Sequence, residues 1–148
     1  MAQQAVPMVC VPKKSAWLRT VFDLWIQNDN TEKDISPFLD QDVIHNDIAH
    51  TPYRSKLDMS EAYKQICIVP EDVHKTTFAT IFGTFVNQVM QQGDCNAPSM
   101  FQWLMTSIFR NHIAQFVHVY LDDIFIDSSS IEEHEGHLAQ VFNKLHKA

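Results

Sequence analysis

Residues 116–127, Phe-Val-His-Val-Tyr-Leu-Asp-Asp-Ile-Phe-Ile-Asp, are strand formers interrupted by two adjacent acids. Val117, Val119, Tyr120, Ile124, Phe125 and Ile126 favour extended backbone, so two short strands are predicted, with Asp122 and Asp123 at a tight turn. Upstream, residues 6–26 alternate and predict a hairpin whose tip carries Lys13 and Lys14, with Arg19 close by. Residues 27–39, rich in Asn and Asp, read as a long loop. A helix from about Asp40 to Ala49 presents Val43, Ile44 and Ile48 on one face and is closed by Pro52. Residues 54–58 form a strand leading to Asp58. The chain then turns through Ser60–Tyr63 and resumes as strand over 66–69. Residues 75–90 predict a hairpin split at Gly83. After a polar loop, Asn96 is placed to N-cap a helix with Pro98 in its first turn. Phe101, Leu104, Met105, Ile108, Phe109 and Ile113 recur at helical spacing up to about 112–115. Ser128–Ser130 before Glu132 and Glu133 predict the capped start of a last helix, with Leu138, Val141, Phe142 and Leu145 on its buried side.

Composition narrows the class. The chain has 148 residues, 45% of them hydrophobic, with three glycines, which fits one globular domain with a sizeable core. No apolar run approaches a membrane span and no signal-peptide pattern opens the chain. Cys10, Cys67 and Cys95 are odd in number and widely spaced, as expected of reduced thiols in an intracellular protein, cytoplasmic or nuclear. The net charge is −7. Residues 1–33 hold four basic and three acidic side chains, whereas 34–148 hold seven against fifteen. Any basic surface for a polyanion is therefore local and N-terminal.

The acids carry the candidate chemistry. Asp-Asp pairs are common turn residues, and a hairpin tip explains one such pair by itself. A third acid in a similar setting, Asp58, changes the weighing. Carboxylates at the ends of buried strands need compensation, and hard oxygen ligands suit Mg2+ or Mn2+. Three acids at adjacent strand ends suffice for two ions, the arrangement that clamps both oxygens in phosphoryl transfer. His134 and His137, three apart beside Glu133, read as a solvated helix face rather than metal ligands, and His118 as an ordinary strand histidine.

Four segments in order then resemble the reverse transcriptases, in particular those of gypsy-type LTR retrotransposons of fungi. They are Leu18-Arg19-Thr20-Val21-Phe22-Asp23-Leu24, Lys56-Leu57-Asp58-Met59-Ser60-Glu61-Ala62-Tyr63, the run from Gln92-Gly93-Asp94 to Phe101-Gln102, and Tyr120-Leu121-Asp122-Asp123. The resemblance implies an α+β fold, a right-hand polymerase palm and fingers with an antiparallel sheet flanked by helices. It implies a single domain over 1–148, fingers-like to residue 53 and palm-like from 54, ending before the thumb. Asp58, Asp122 and Asp123 match the family's catalytic triad, which holds two magnesium ions and drives attack of a primer 3′-hydroxyl on the nucleotide α-phosphate. Tyr63 matches the steric gate against a 2′-hydroxyl, and Arg19 the fingers arginine on the nucleotide. Lys13 or Lys14 matches the γ-phosphate lysine, and Gln92 with Gly93 the loop at the nucleotide sugar. Backbone amides of Glu61 and Ala62 are further phosphate donors. The implied partners are an RNA or DNA primer–template, dNTP and the rest of a polyprotein bearing thumb and RNase H, with no membrane.

Some positions depart from the family pattern. Trp25 stands where an arginine is usual, and basic residues are frequent where Trp17, His45, His50, Cys67, Trp103 and Gln115 stand. Each of these is one transition from an arginine codon, which points to a mutationally decayed copy with weak or no activity and accounts for the net negative charge. A non-catalytic binding or self-associating module, anchored by Trp17, Trp25 and Trp103, is the alternative. A phosphodiesterase-type metal hydrolase fits the acids but leaves the Gln92–Gln102 segment without a purpose.

Overall fold

The computed structural model describes residues 5–12, 17–35 and 40–148. The chain forms two compact units interleaved in sequence, Met1–Asp34 with Glu61–Ala97, and Ile35–Ser60 with Pro98–Ala148. Among the described residues no helix is long and apolar enough to cross a membrane.

The first unit is built on a four-stranded sheet in the order β2-β1-β4-β5. The expected N-terminal hairpin is present as β1 (Val6–Pro12) and β2 (Leu18–Phe22), paired antiparallel from Met8↔Phe22 to Pro12↔Leu18. Its tip, with Lys13 and Lys14, lies outside the described residues. The hairpin at Gly83 is also present, as β4 (Thr77–Thr80) and β5 (Gly83–Val86), and Gly83 takes the positive φ of 134° that its turn requires. The pairing between the hairpins departs from expectation. β1 and β4 run parallel, Val6 opposite Phe78, so this sheet is mixed. Phe78 seals the junction, with its ring 4.9 Å from Phe22 and 5.9 Å from Phe85.

Two expected features of this unit are corrected. The loop assigned to 27–39 begins as a single helical turn, α1 (Trp25–Asp29). Asn30 and Thr31 side chains donate to the carbonyls of Ile26 and Gln27 and close that turn. Residues 66–69 do not form a strand. They make one isolated bridge, Cys67 to Val89, flanked by Ile68 N–H to Gln88 O and Met90 N–H to Ile66 O. Pro70 follows too closely for a longer ladder.

The second unit carries a three-stranded antiparallel sheet in the order β3-β7-β6. β3 (Tyr53–Asp58), β6 (Val117–Tyr120) and β7 (Asp123–Ser128) follow the alternation read from the sequence. One face buries Val117, Val119, Ile124 and Ile126 completely. Antiparallel partners share a face, so Lys56 with Phe125, and Asp58 with Asp123 and Tyr120, lie on the other. α2 (Gln41–Ala49), capped by the Asp40 carboxylate on the Asp42 amide, buries Ile44. α3 (Ala97–Ile108) buries Phe101 and Met105, and Phe109 is buried just beyond its end. It stops short of the expected 112–115 because the chain reverses in tight turns, with Ala114 left-handed at φ 62°. Asn96 does not cap α3: its side chain accepts from the Asp34 amide and donates to the Glu32 carbonyl. α4 (Ile131–Lys147) has the expected cap, the Ser130 hydroxyl accepting from the Glu133 amide. Its buried stripe is His134 and Val141, flanked by half-buried Leu138 and Leu145. Phe142, one residue past Val141 and so about 100° round the helix, is instead 54% exposed.

His134 is therefore not on a solvated face. It joins β3 to β7 from below, with Nε2 2.8 Å from Ser55 Oγ and Nδ1 2.9 Å from Ser128 Oγ. His137 Nδ1 lies 2.8 Å from the same Ser128 hydroxyl and 3.3 Å from the Asp127 carbonyl, and its ring stacks 3.7 Å from Phe116. A carbonyl only accepts, so the proton sits on His137 Nδ1. Ser128 then accepts from His137 and donates to His134, whose Nε2–H donates to Ser55. His118 is buried, with Nε2 3.2 Å from Asp127 Oδ1 but outside hydrogen-bond alignment.

Two substitutions test these supports. His134→Ala removes the bonds to both serines and opens a gap under the sheet, with an expected loss of about 2–4 kcal/mol in urea unfolding. Gln102 on α3 donates to the Val119 carbonyl at 3.1 Å and accepts from the Leu121 amide at 2.9 Å. Gln102→Ala is expected to cost about 1–3 kcal/mol and to speed hydrogen exchange at the Leu121 amide ahead of the amides of β6.

Candidate active site

The carboxylates are assembled by strand register. Asp58 ends β3 directly opposite Asp123, the first residue of β7. Their Cα atoms are thus about 4.5–5.5 Å apart, and their side chains leave the same face. Tyr120 pairs with Asp123 from the other side, which leaves Leu121 and Asp122 as the two-residue turn. Beyond Asp58, the Met59 amide donates to the Asp122 carbonyl at 2.9 Å and ties the end of β3 to that turn.

The turn is strained and held. Leu121 has φ 50°, a left-handed backbone that a branched side chain resists. The Gln102 amide group compensates by binding the Val119 carbonyl and the amide of Leu121 itself. Gln102 lies in the segment that runs from Gln92 to Gln102, and nothing in that segment's local pattern marks this task. Its signal was a polar side chain one residue after the fully buried Phe101.

Two carboxylates this close repel by on the order of 1–3 kcal/mol at intermediate dielectric. Lys56, two residues before Asp58 on the same face, meets this charge: its Nζ lies 2.7 Å from Asp123 Oδ2 and 5.6 Å from the centre of the Phe125 ring. Among the described residues, no three His, Cys, Asp or Glu side chains converge as they stand to ligate one ion. The donor set nevertheless suits a hard divalent cation: three carboxylates, two in register and the third in the adjoining turn, offer only oxygen.

The other sequence-derived residues, apart from Lys13 and Lys14, belong to the first unit. Arg19 is exposed on β2, opposite Val11. Glu61, left-handed at φ 52°, opens a 3-10 turn (Ala62–Gln65) and pairs with Lys64 at 2.7 Å. Ala62 is buried in that turn and Tyr63 half-buried. Gln92 is exposed, and Gly93 has a positive φ of 103°. The 92–95 loop is fixed by a residue that sequence reading passed over. Asn28 of α1 donates to the Gly93 carbonyl and accepts from the Cys95 amide, both at 2.9 Å. Its location in an apparently featureless Asn/Asp-rich stretch hid this task.

Comparison with known proteins shows the family. Residues 12–148 match the family model described as reverse transcriptase (RNA-dependent DNA polymerase). The chain is 34% identical over 147 residues to the transposon Tf2-3 polyprotein of Schizosaccharomyces pombe, covering 99% of this chain and 11% of that protein. It is 31% identical to the retrovirus-related Pol polyprotein from transposon opus of Drosophila melanogaster, over 96% of this chain and 15% of that one. The chain thus spans between a tenth and a sixth of these relatives. The crystal structure of prototype foamy virus protease-reverse transcriptase superposes with a TM-score of 0.86 at 25% identity, covering 97% of this chain and 19% of that one. A foamy viral protease-reverse transcriptase in complex with double-stranded DNA shares the fold at a TM-score of 0.89 and 24% identity, covering 97% of this chain and 25% of that one. From the ordered motifs, the strand register and these relatives it follows that the chain belongs to the reverse transcriptase family.

Proposed function

We propose that this chain carries the polymerising centre of a reverse transcriptase, transferring a nucleotide from dNTP to a primer 3′-hydroxyl. The observation that carries the reading is the register of Asp58 against Asp123, beside the turn that holds Asp122. These three residues would hold two divalent ions, Mg2+ or Mn2+. When bound, such ions supply activation of the hydroxyl and stabilisation of charge on the phosphate. The chain's own task is to keep the carboxylates in place, through the Gln102 clamp on the turn and the His134 clamp on the strands.

In this reading the remaining residues singled out by the resemblance bind the nucleotide. Arg19 offers a planar cation for base and phosphate, with Lys13 or Lys14 at the γ-phosphate. The amides of Glu61 and Ala62 add phosphate donors. Tyr63 excludes the 2′-hydroxyl, and Gln92 with Gly93 lines the sugar. Primer–template and the remaining domains of a polyprotein are the partners.

A second reading has its own observation. Trp17, Trp25 and Trp103 are 75%, 77% and 73% exposed. Rigid aromatic side chains so free of cover are suited to anchor an interface. This reading makes the chain a non-catalytic or self-associating relative.

The test is extension of a primed RNA template by the purified chain with Mg2+ or Mn2+. Asp122→Asn is expected to slow extension by about 100-fold or more, the scale set by removing one transition-state contact. Equal extension by wild type and variant removes Asp122 from the chemistry. No extension, together with a stable oligomer in sedimentation, favours the second reading.

A further inference from the structure

We propose that Lys56 is the resident counter-ion of the carboxylate row, holding Asp123 until a divalent cation displaces it. The inference rests on reading Asp58, Asp122 and Asp123 as metal ligands, and it concerns how that site is loaded rather than what it catalyses.

The placement of Lys56 follows from register. It stands opposite Phe125, so its stem crosses the ring and its ammonium is carried diagonally toward Asp123, two residues back along β7. Long side chains reach such diagonal neighbours across an antiparallel pair. The contact is short, 2.7 Å from Nζ to Asp123 Oδ2, while Asp123 is 30% and Lys56 53% exposed at the side chain. The ring contact adds attraction for the cation and limits where the stem can lie.

Charge decides what this contact does. With no divalent ion the row presents two facing carboxylates, Asp58 and Asp123, with Asp122 next in the chain. One ammonium then lowers their repulsion and keeps the β3–β7 end paired. A divalent ion at the same oxygens reverses the balance: Asp123 Oδ2 has to leave Lys56 to become a ligand, and an ammonium left within a few ångströms repels the ion. Lys56 therefore stabilises the metal-free strand end and weakens metal affinity, which makes the ions exchangeable. The ammonium is partly exposed, so the effect is screened by salt.

The test is titration of the chelator-stripped, purified chain with Mn2+, following free Mn2+ by its electron paramagnetic resonance signal, alongside thermal melting in EDTA. Lys56→Met is expected to bind Mn2+ about fivefold more tightly than wild type, roughly 1 kcal/mol, yet to melt lower in EDTA. Lys56→Arg, which keeps the charge, is expected to stay within about twofold of wild type in affinity. Asp123→Asn is expected to weaken binding in every background. Unchanged or weaker binding by Lys56→Met, with Asp123→Asn still weakening it, overturns the role of Lys56 and leaves the carboxylate reading standing. Wild-type binding that Asp123→Asn does not alter overturns the carboxylate reading, and this inference falls with it.

Discussion

A like-charge pair across two hydrogen-bonded strands is the constraint on which the second unit depends. Asp58 opposite Asp123 is unfavourable by cross-strand rules, which penalise equal charges facing each other. A one-residue slip would separate them, but it would also turn Ile124 and Ile126 out of the core, where both are fully buried. The apolar face thus fixes the register, and the register forces the carboxylates together. The repulsion is a consequence of the packing, and the surrounding polar contacts are arranged to carry it.

Those contacts act at three places along the strands. Gln102 holds the backbone of the turn at Val119 and Leu121. His134 joins Ser55 to Ser128 at the opposite end of the β3–β7 pair. Lys56 neutralises part of the charge between them. Gln102 and His134 bind groups that are not acidic, so their support is independent of the charge on the row. Of these three side chains, Lys56 is the one paired with a carboxylate. The fold therefore separates the geometry of the site from its electrostatics.

The sequence made the strands around the acids legible because their apolar positions alternate with period two and their turn residues are polar. The capped start of α4 was readable for a similar local reason, a serine three residues before a glutamate. What local pattern does not carry is partnership over distance. The parallel contact of β1 with β4 joins residues more than seventy positions apart. Asn96 has every local attribute of a cap, yet its side chain is engaged by the 32–34 segment. His134, a polar side chain beside glutamates, has the local signature of a wet helix face. Its burial depends on two serines on strands that helical periodicity cannot see.

The net charge of −7 takes on a different meaning once the acids are placed. Asp58 and Asp123 share one face of one sheet, Asp122 adjoins them in the turn, and Asp127 is buried against His118. Part of the acidic excess is thus local structure and not a diffuse surface field, and local charge is what a compact cation answers. A polyanionic template is a different matter, because its binding depends on basic side chains over a broad surface. A carboxylate row and a basic surface are separate sets of residues, so replacing basic side chains elsewhere in the chain would leave the row untouched. The row and its supports, Gln102 on the turn and His134 under the strands, thus do not depend on a broad basic surface.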